Sequence, residues 1–179
     1  MTRTTPRLIW SALAVTSGAV AILTIMLTEQ LNLDPCYLCV FQRLLLFIMA
    51  AEALAAALAY GIRILGLVTQ ASFATTAFAG IAAASYQSWL QIQPSGVVTC
   101  TGGNPGMIEQ VVEWLGEHWP TAFLATGFCE DAGMTIAGLS LANWALIFFA
   151  ISLAAGAWIL WQSQTSYNHS PTQTDPDIR

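Results

Sequence analysis

The stretch PCYLCVFQRLLLF, residues 35–47, sets two cysteines two residues apart and an arginine four residues after the second. Cysteines at this spacing either clip a metal or exchange disulfides. Pro35 suits a helix entrance, where its missing N–H costs little. Cys36 or Cys39 then falls in a first helical turn, where the helix dipole favours a thiolate. Arg43 lies one turn beyond Cys39 on the same face, and a fixed cation beside a thiol activates it. The residues that follow are almost all apolar. An arginine inside an apolar run is a signal of function; its plainer reading is a side chain snorkelling to lipid headgroups.

Two further cysteines, Cys100 and Cys129, complete the set. A structural zinc site draws on clustered Cys and His ligands. Here the second cysteine pair is separated by 28 residues, and His118 and His169 are the only histidines. Metal is therefore disfavoured. Four cysteines allow three pairings: Cys36–Cys39 with Cys100–Cys129 gives one disulfide per loop, and the other two pairings join the loops. A structural bridge closing the 100–129 loop would stabilise the fold by roughly 3–4 kcal/mol in the chain-entropy model. That account does not reach Cys36–Cys39, whose loop constrains almost nothing and whose spacing suits exchange chemistry.

The elements that must carry these residues follow from composition. Of 179 residues, 56% are hydrophobic and only 8% charged, far below the roughly 25% of a soluble domain. Four apolar runs, about 8–28, 39–60, 64–89 and 143–162, each approach or exceed the ~20 residues that cross a bilayer core. The sequence predicts an all-α membrane protein, a bundle of four transmembrane helices forming a single domain over residues 1–162. The first run is longer than the h-region of a signal peptide and is read as a span. Glu52, in the second run, has no evident partner.

All five basic residues are arginines: Arg3, Arg7 and Arg63, with Arg179 at the end and Arg43 in the span. Loops 29–38 and 90–142 have none. The positive-inside rule sets both termini and the 61–63 turn in the cytoplasm, with the two loops and all four cysteines on the opposite, exported side, where thiols can pair. No basic face exists to bind nucleic acid. In the second loop, GMIEQVVEWLGEHW has helical period. Met107, Ile108, Val111, Val112 and Leu115 share one face, and Glu109, Glu113 and Glu117 share the other. It reads as a short amphipathic helix lying at the membrane interface or packed on the ends of the spans. TCTGGNPG before it is rich in breakers. The tail 163–179 is polar and reads as disordered. A thiol site at the outer edge of a span has one two-electron acceptor at hand in the bilayer, quinone. Its carbonyl oxygen suits Arg43 and its tail suits apolar helices.

The first-loop motif PCYLCVFQR opening a second span, with PSGVVTC, EWL, WPTAF and GFCE in the second loop, resembles the disulfide bond formation protein B (DsbB) family over nearly the whole chain. The resemblance implies a bacterial inner-membrane enzyme, a protein-dithiol:quinone oxidoreductase with periplasmic loops. Such an enzyme re-oxidises a soluble, thioredoxin-fold DsbA-like protein and passes the electrons to ubiquinone or menaquinone. It implies redox-active disulfides Cys36–Cys39 and Cys100–Cys129. In that scheme Cys100 forms the mixed disulfide with the partner, Cys129 passes electrons to Cys36, Cys39 faces the quinone, and Arg43 binds it. Two positions depart from the family pattern. Gln42 stands where some members carry an acid, and Gln87 stands near a position expected to hold a histidine beside the quinone. Gln87 is kept as a candidate quinone ligand; Gln42 has no assigned role. Vitamin K epoxide reductase, another CxxC enzyme acting on a membrane quinone, and a non-catalytic scaffold with one loop disulfide are the competing readings. The WP and EWL motifs fit the former less well.

Overall fold

A computed structural model describes residues 4–59, 62–93, 106–131 and 134–168. Three long helices come first: α1 (Thr4–Gln30), α2 (Tyr37–Leu58) and α3 (Arg63–Leu90). Two short ones follow, α4 (Met107–His118) and α5 (Pro120–Phe123), then a two-stranded ribbon, β1 (Thr135–Ile136) and β2 (Leu139–Ser140), and finally α6 (Leu141–Asn168). Four stretches are long and apolar enough to cross a membrane: Pro6–Gln30, Tyr37–Leu58, Ile64–Leu90 and Leu141–Gln162. They match the four expected spans to within about two residues at each end. The molecule is a four-helix, multi-pass membrane bundle.

The helices pack α1 on α2, α2 on α3 and α3 on α6. Lipid is as apolar as leucine, so helices in a bilayer associate through close packing and polar contacts. Small residues supply the closeness. A Cβ on Gly80 of α3 would fall 2.4 Å from the ring of Phe149 on α6. Trp10 of α1 meets Phe73 of α3 edge-on at 5.1 Å. Outward-facing Val15, Phe78 and Ile151 are exposed, as side chains in contact with lipid would be. Glu52 has partners after all: Ser72 and Thr76 of α3 donate to its Oε1 at 2.5 and 3.1 Å. This ties α2 to α3.

Two details differ from the sequence reading, and a third bears on the alternatives it left for α4. α6 continues to Asn168, six residues into the stretch expected to be disordered; the rest of that tail lies outside the described residues. The second loop carries the β1–β2 hairpin, with Thr135 opposite Ser140 and Ile136 opposite Leu139. Its turn is made by Ala137 and Gly138, both at positive φ, a tight hairpin geometry that seldom uses alanine. In α4, Val112 and Leu115 are buried while Met107, Val111 and Trp114 stay exposed. The helix therefore packs one edge against α2 and leaves the rest of its apolar face open.

Candidate redox site at the mouth of the second span

Pro35 ends an extended segment, and Cys36 is the residue that caps α2, with φ −81° and ψ 167°. Cys39 is then the third residue of the helix, in the turn whose N–H groups have no helical acceptor. One turn of helix sets the two sulfurs 3.5 Å apart. Cys36, Cys39 and Cys129 all carry free thiols, so the expected Cys36–Cys39 disulfide is here an adjacent dithiol. Cys100 and the PSGVVTC motif lie outside the described residues, and so does the expected Cys100–Cys129 pairing.

The third thiol comes from far along the chain. Cys129 is buried in one cluster with Cys36, Leu38 and Leu90, within thiol hydrogen-bonding reach of Cys36. A short clamp holds it there. The N–H groups of Thr126 and Gly127 both donate to the carbonyl of Pro35, at 3.0 and 3.1 Å. The Thr126 hydroxyl donates to Asp34 Oδ1 at 2.9 Å. Gly127 runs so close to the first loop that a Cβ there would sit 2.0 Å from the Asp34 carbonyl oxygen. Only glycine fits. The contact with Cys129, together with burial, pushes the Cys36 thiol up to about 12. Cys36 therefore keeps its proton at neutral pH.

Cys39 faces a different neighbour. Gln87 of α3, 2% exposed, donates from Nε2 to Cys39 Sγ at 2.8 Å and lies 3.5 Å from Cys36 Sγ. Behind it, Gln42 donates from Nε2 to Gln87 Oε1 at 2.8 Å. The site thus has two ends, with Cys36 turned to the incoming thiol and Cys39 turned to an amide donor that can support negative charge.

Arg43 shares the helical row of Cys39, and its guanidinium bonds to α1 and α5. Nη1 donates to the Ala122 carbonyl at 2.5 Å; Nη2 donates to Thr28 Oγ1 at 2.8 Å and to the Thr24 carbonyl at 3.3 Å. Arg43 thereby ties α1 and α5 to α2. It is 4% exposed, too deep for snorkelling alone, and its Nε is buried without a partner among the described residues. Beside it, Leu44, Phe47, Leu115, Trp119, Ala122 and Phe123 line an open apolar groove of about 420 Å³ between α2 and the α4–α5 segment. The pattern of residue types pointed to the cysteines, Arg43 and Gln87. It did not point to Gln42, Asp34, Thr126 or Gly127; a GFC tripeptide carries no local sign that its glycine touches a loop more than 90 residues away.

A family model for disulfide bond formation protein DsbB matches residues 6–159. The disulfide bond formation protein B of Dechloromonas aromatica (strain RCB) is 40% identical over 124 residues, 69% of this chain and 73% of that protein. Its counterpart in Azoarcus sp. (strain BH72) is 31% identical over 134 residues, 73% of this chain and 77% of the relative. That of Albidiferax ferrireducens (strain ATCC BAA-621 / DSM 15236 / T118) is 30% identical over 159 residues, 88% of each.

Proposed function

The chain belongs to the DsbB family of disulfide bond formation proteins, membrane thiol oxidoreductases, and on that premise we propose that it re-oxidises a periplasmic DsbA-like thioredoxin-fold protein and delivers the electrons to quinone in the bacterial inner membrane. Both termini are then cytoplasmic and the cysteines periplasmic. The observation that carries the reading is Cys129 held against Cys36 by the clamp on Asp34 and Pro35.

The electron path follows from which sulfur faces which. A thiolate of the reduced partner attacks Cys100 of a Cys100–Cys129 disulfide, forming a mixed disulfide and freeing Cys129. The partner's second thiol then attacks its own sulfur in that bond, so the partner leaves oxidised and Cys100 is freed as a thiol. Cys129 attacks Cys36 of a Cys36–Cys39 disulfide, forming Cys129–Cys36 and expelling Cys39. The direction suits the site, because Cys129 lies against Cys36 and Cys39 departs toward the Gln87 donor. Cys100 then attacks Cys129, restoring Cys100–Cys129 and releasing Cys36 with its proton. Two electrons now reside in the Cys36–Cys39 dithiol.

Quinone supplies the capacity to take up those two electrons with two protons. The residues fit such a group: the buried Nε of Arg43 is a donor with no acceptor among the described residues, and the groove beside it is apolar in its lining residues. Arg43 would hold a carbonyl oxygen, and the Leu44 and Phe47 side of α2 would carry the apolar part. Gln87, in contact with the Cys39 sulfur, serves the thiol rather than the quinone in this arrangement.

The test is anaerobic mixing of the purified protein with a reduced thioredoxin-fold oxidase and a soluble ubiquinone or menaquinone analogue. Catalytic quinone reduction with one partner disulfide formed per quinone is expected, and its absence with both quinones removes the reading. Cys129→Ser, which cannot form the Cys100–Cys129 disulfide, is expected to accumulate a covalent complex when offered the oxidised partner: Cys100 attacks the partner's disulfide, and the Cys129 thiol that would displace the partner from Cys100 is gone. Peptide mass spectrometry should find Cys100 joined to the partner; linkage at Cys36 instead would reverse the order of the loops. Arg43→Lys keeps the charge but loses the planar fork. Losing a charge-assisted hydrogen bond costs about 1.5–3 kcal/mol, so the KM for quinone should rise roughly ten- to hundredfold while exchange with the protein partner stays near normal. Steady-state kinetics varying each substrate separately will check this. An unchanged quinone KM would leave Arg43 as a tie between α1, α2 and α5.

A further inference from the structure

We propose that Gln42 is a positioning residue that fixes the Gln87 side chain with its N–H₂ toward the Cys39 sulfur, so that the site stabilises a Cys39 thiolate with a neutral, non-titrating donor. This rests on the reading of Cys39 as the sulfur that hands on electrons.

A primary amide has a donor end and an acceptor end of nearly equal shape, and a glutamine can present either. Beside a thiolate only the donor end is useful; a carbonyl oxygen there would face negative charge with lone pairs. Gln87 alone cannot guarantee the choice when the sulfur is an uncharged thiol, which can donate as well as accept. Gln42 couples that choice to its own orientation. Its Nε2 points at one end of the Gln87 amide at 2.8 Å, and a donor can be met there only by Oε1. Nε2 is then left to face Cys39 at 2.8 Å. Both glutamines are buried, Gln42 at 5% exposure and Gln87 at 2%, so water does not compete for either amide. With Gln42 so turned, reversing Gln87 alone would set donor against donor between the two buried amides, and that mismatch holds Gln87 as it stands. Gln42 and Cys39 are three residues apart on α2, on neighbouring positions of one face. The single side chain of Gln87 on α3 therefore meets both.

The consequence is chemical. A donor with no titrating proton keeps its effect across the working pH range, whereas an imidazole in its place would change charge near neutrality. The orientation is also vulnerable to a near-isosteric change. A carboxylate at position 42 accepts and cannot donate, so it would draw Nε2 of Gln87 toward itself and turn Oε1 on the sulfur. A protonated carboxyl could still donate as the amide does. The defect of Gln42→Glu should therefore grow as pH rises.

The experiment needs neither quinone nor partner, so its failure is separable from failure of the electron-transfer reading. Reduced protein in detergent is pulsed with iodoacetamide between pH 6 and 9, and modification at Cys39 and Cys129 is quantified by mass spectrometry. A tenfold loss of thiolate, offset in part by the greater nucleophilicity of the more basic sulfur, predicts roughly threefold slower Cys39 alkylation. For Gln42→Glu that slowing is expected at pH 9, with less at pH 6 and no change at Cys129. Gln87→Met, which removes the donor, should be slowed similarly at every pH. Should Gln42→Glu fail to insert, Gln42→Met reads the same orientation: with the amide free to turn, Cys39 should slow by about twofold and Cys129 should not. Wild-type Cys39 rates in Gln42→Glu, or in Gln42→Met in its place, overturn the proposal. So does equal slowing of Cys39 and Cys129, which would signal a loosened bundle.

Discussion

Cys39→Ser and Cys36→Ser are each expected to abolish quinone reduction, by at least about a thousandfold, the scale seen when a reacting nucleophile is removed. Two sulfurs are needed to hold two electrons, and no other described thiol can replace either: Cys129 is already engaged with Cys36. The two variants should fail differently. Cys39→Ser retains the Cys36 and Cys129 sulfurs in contact, so mild oxidation should join them, and non-reducing peptide mapping should recover a Cys36–Cys129 bridge. Cys36→Ser removes the sulfur that Cys129 faces, and a Cys39–Cys129 bridge should form far more slowly, because Cys39 is turned toward Gln87. Retained turnover in either purified variant removes the CxxC pair from the mechanism. Equal bridging in both would mean that Cys129 does not discriminate between the two sulfurs.

Gly127→Ala should uncouple the two loops. A single methyl at this position meets the Asp34 carbonyl oxygen at 2.0 Å, and backbone must move to relieve it. The movement displaces Cys129, two residues on, by something near an ångström, and misplacement of that size can cost about a hundredfold in a reaction that depends on alignment. The four spans do not involve this residue, so insertion and helix content should be unaffected. Rapid mixing with reduced partner should still give the covalent complex at Cys100, while the following transfer to Cys36–Cys39 slows by about two orders of magnitude. Thr126→Val, which loses only the hydroxyl contact with Asp34, should slow the same step more mildly. Normal inter-loop transfer in Gly127→Ala would show that the clamp does not govern the approach of Cys129.

The bundle was legible because membrane spans announce themselves. Twenty apolar residues have few other uses, and the bounds read from the runs fall close to those of α1, α2, α3 and α6. α4 was legible for a related reason, its glutamates and aliphatic residues separating cleanly at helical period. Legibility ended where a feature depended on residues distant in the chain. The Gln42–Gln87 bond spans 45 residues and the Thr126–Asp34 bond 92; neither glutamine nor glycine has a local pattern that names its partner. Glu52 was visible as an acid in a span, yet Ser72 and Thr76 became its partners only when α3 was laid beside α2. The β1–β2 ribbon escaped because Ala137 occupies a turn position where Asn, Asp or Gly would have given it away. The cysteines were plain from their spacing, but which sulfur faces which required the fold.

The two polar links between α2 and α3 have a mechanical consequence. Gln42 meets Gln87 near the cysteine end of the pair, and Glu52 meets Ser72 and Thr76 ten residues further along α2, about 15 Å at the rise of an α-helix. One such link acts as a pivot about which two rods can still swivel; two along the same seam fix both register and azimuth. Sliding α3 by one residue would turn its facing row by about 100° and break both links together. In a bilayer, where lipid competes well for every aliphatic surface, this dowelled pair supplies the fixed frame. The sulfurs can then change bonds at one end while the helices beneath them do not shift.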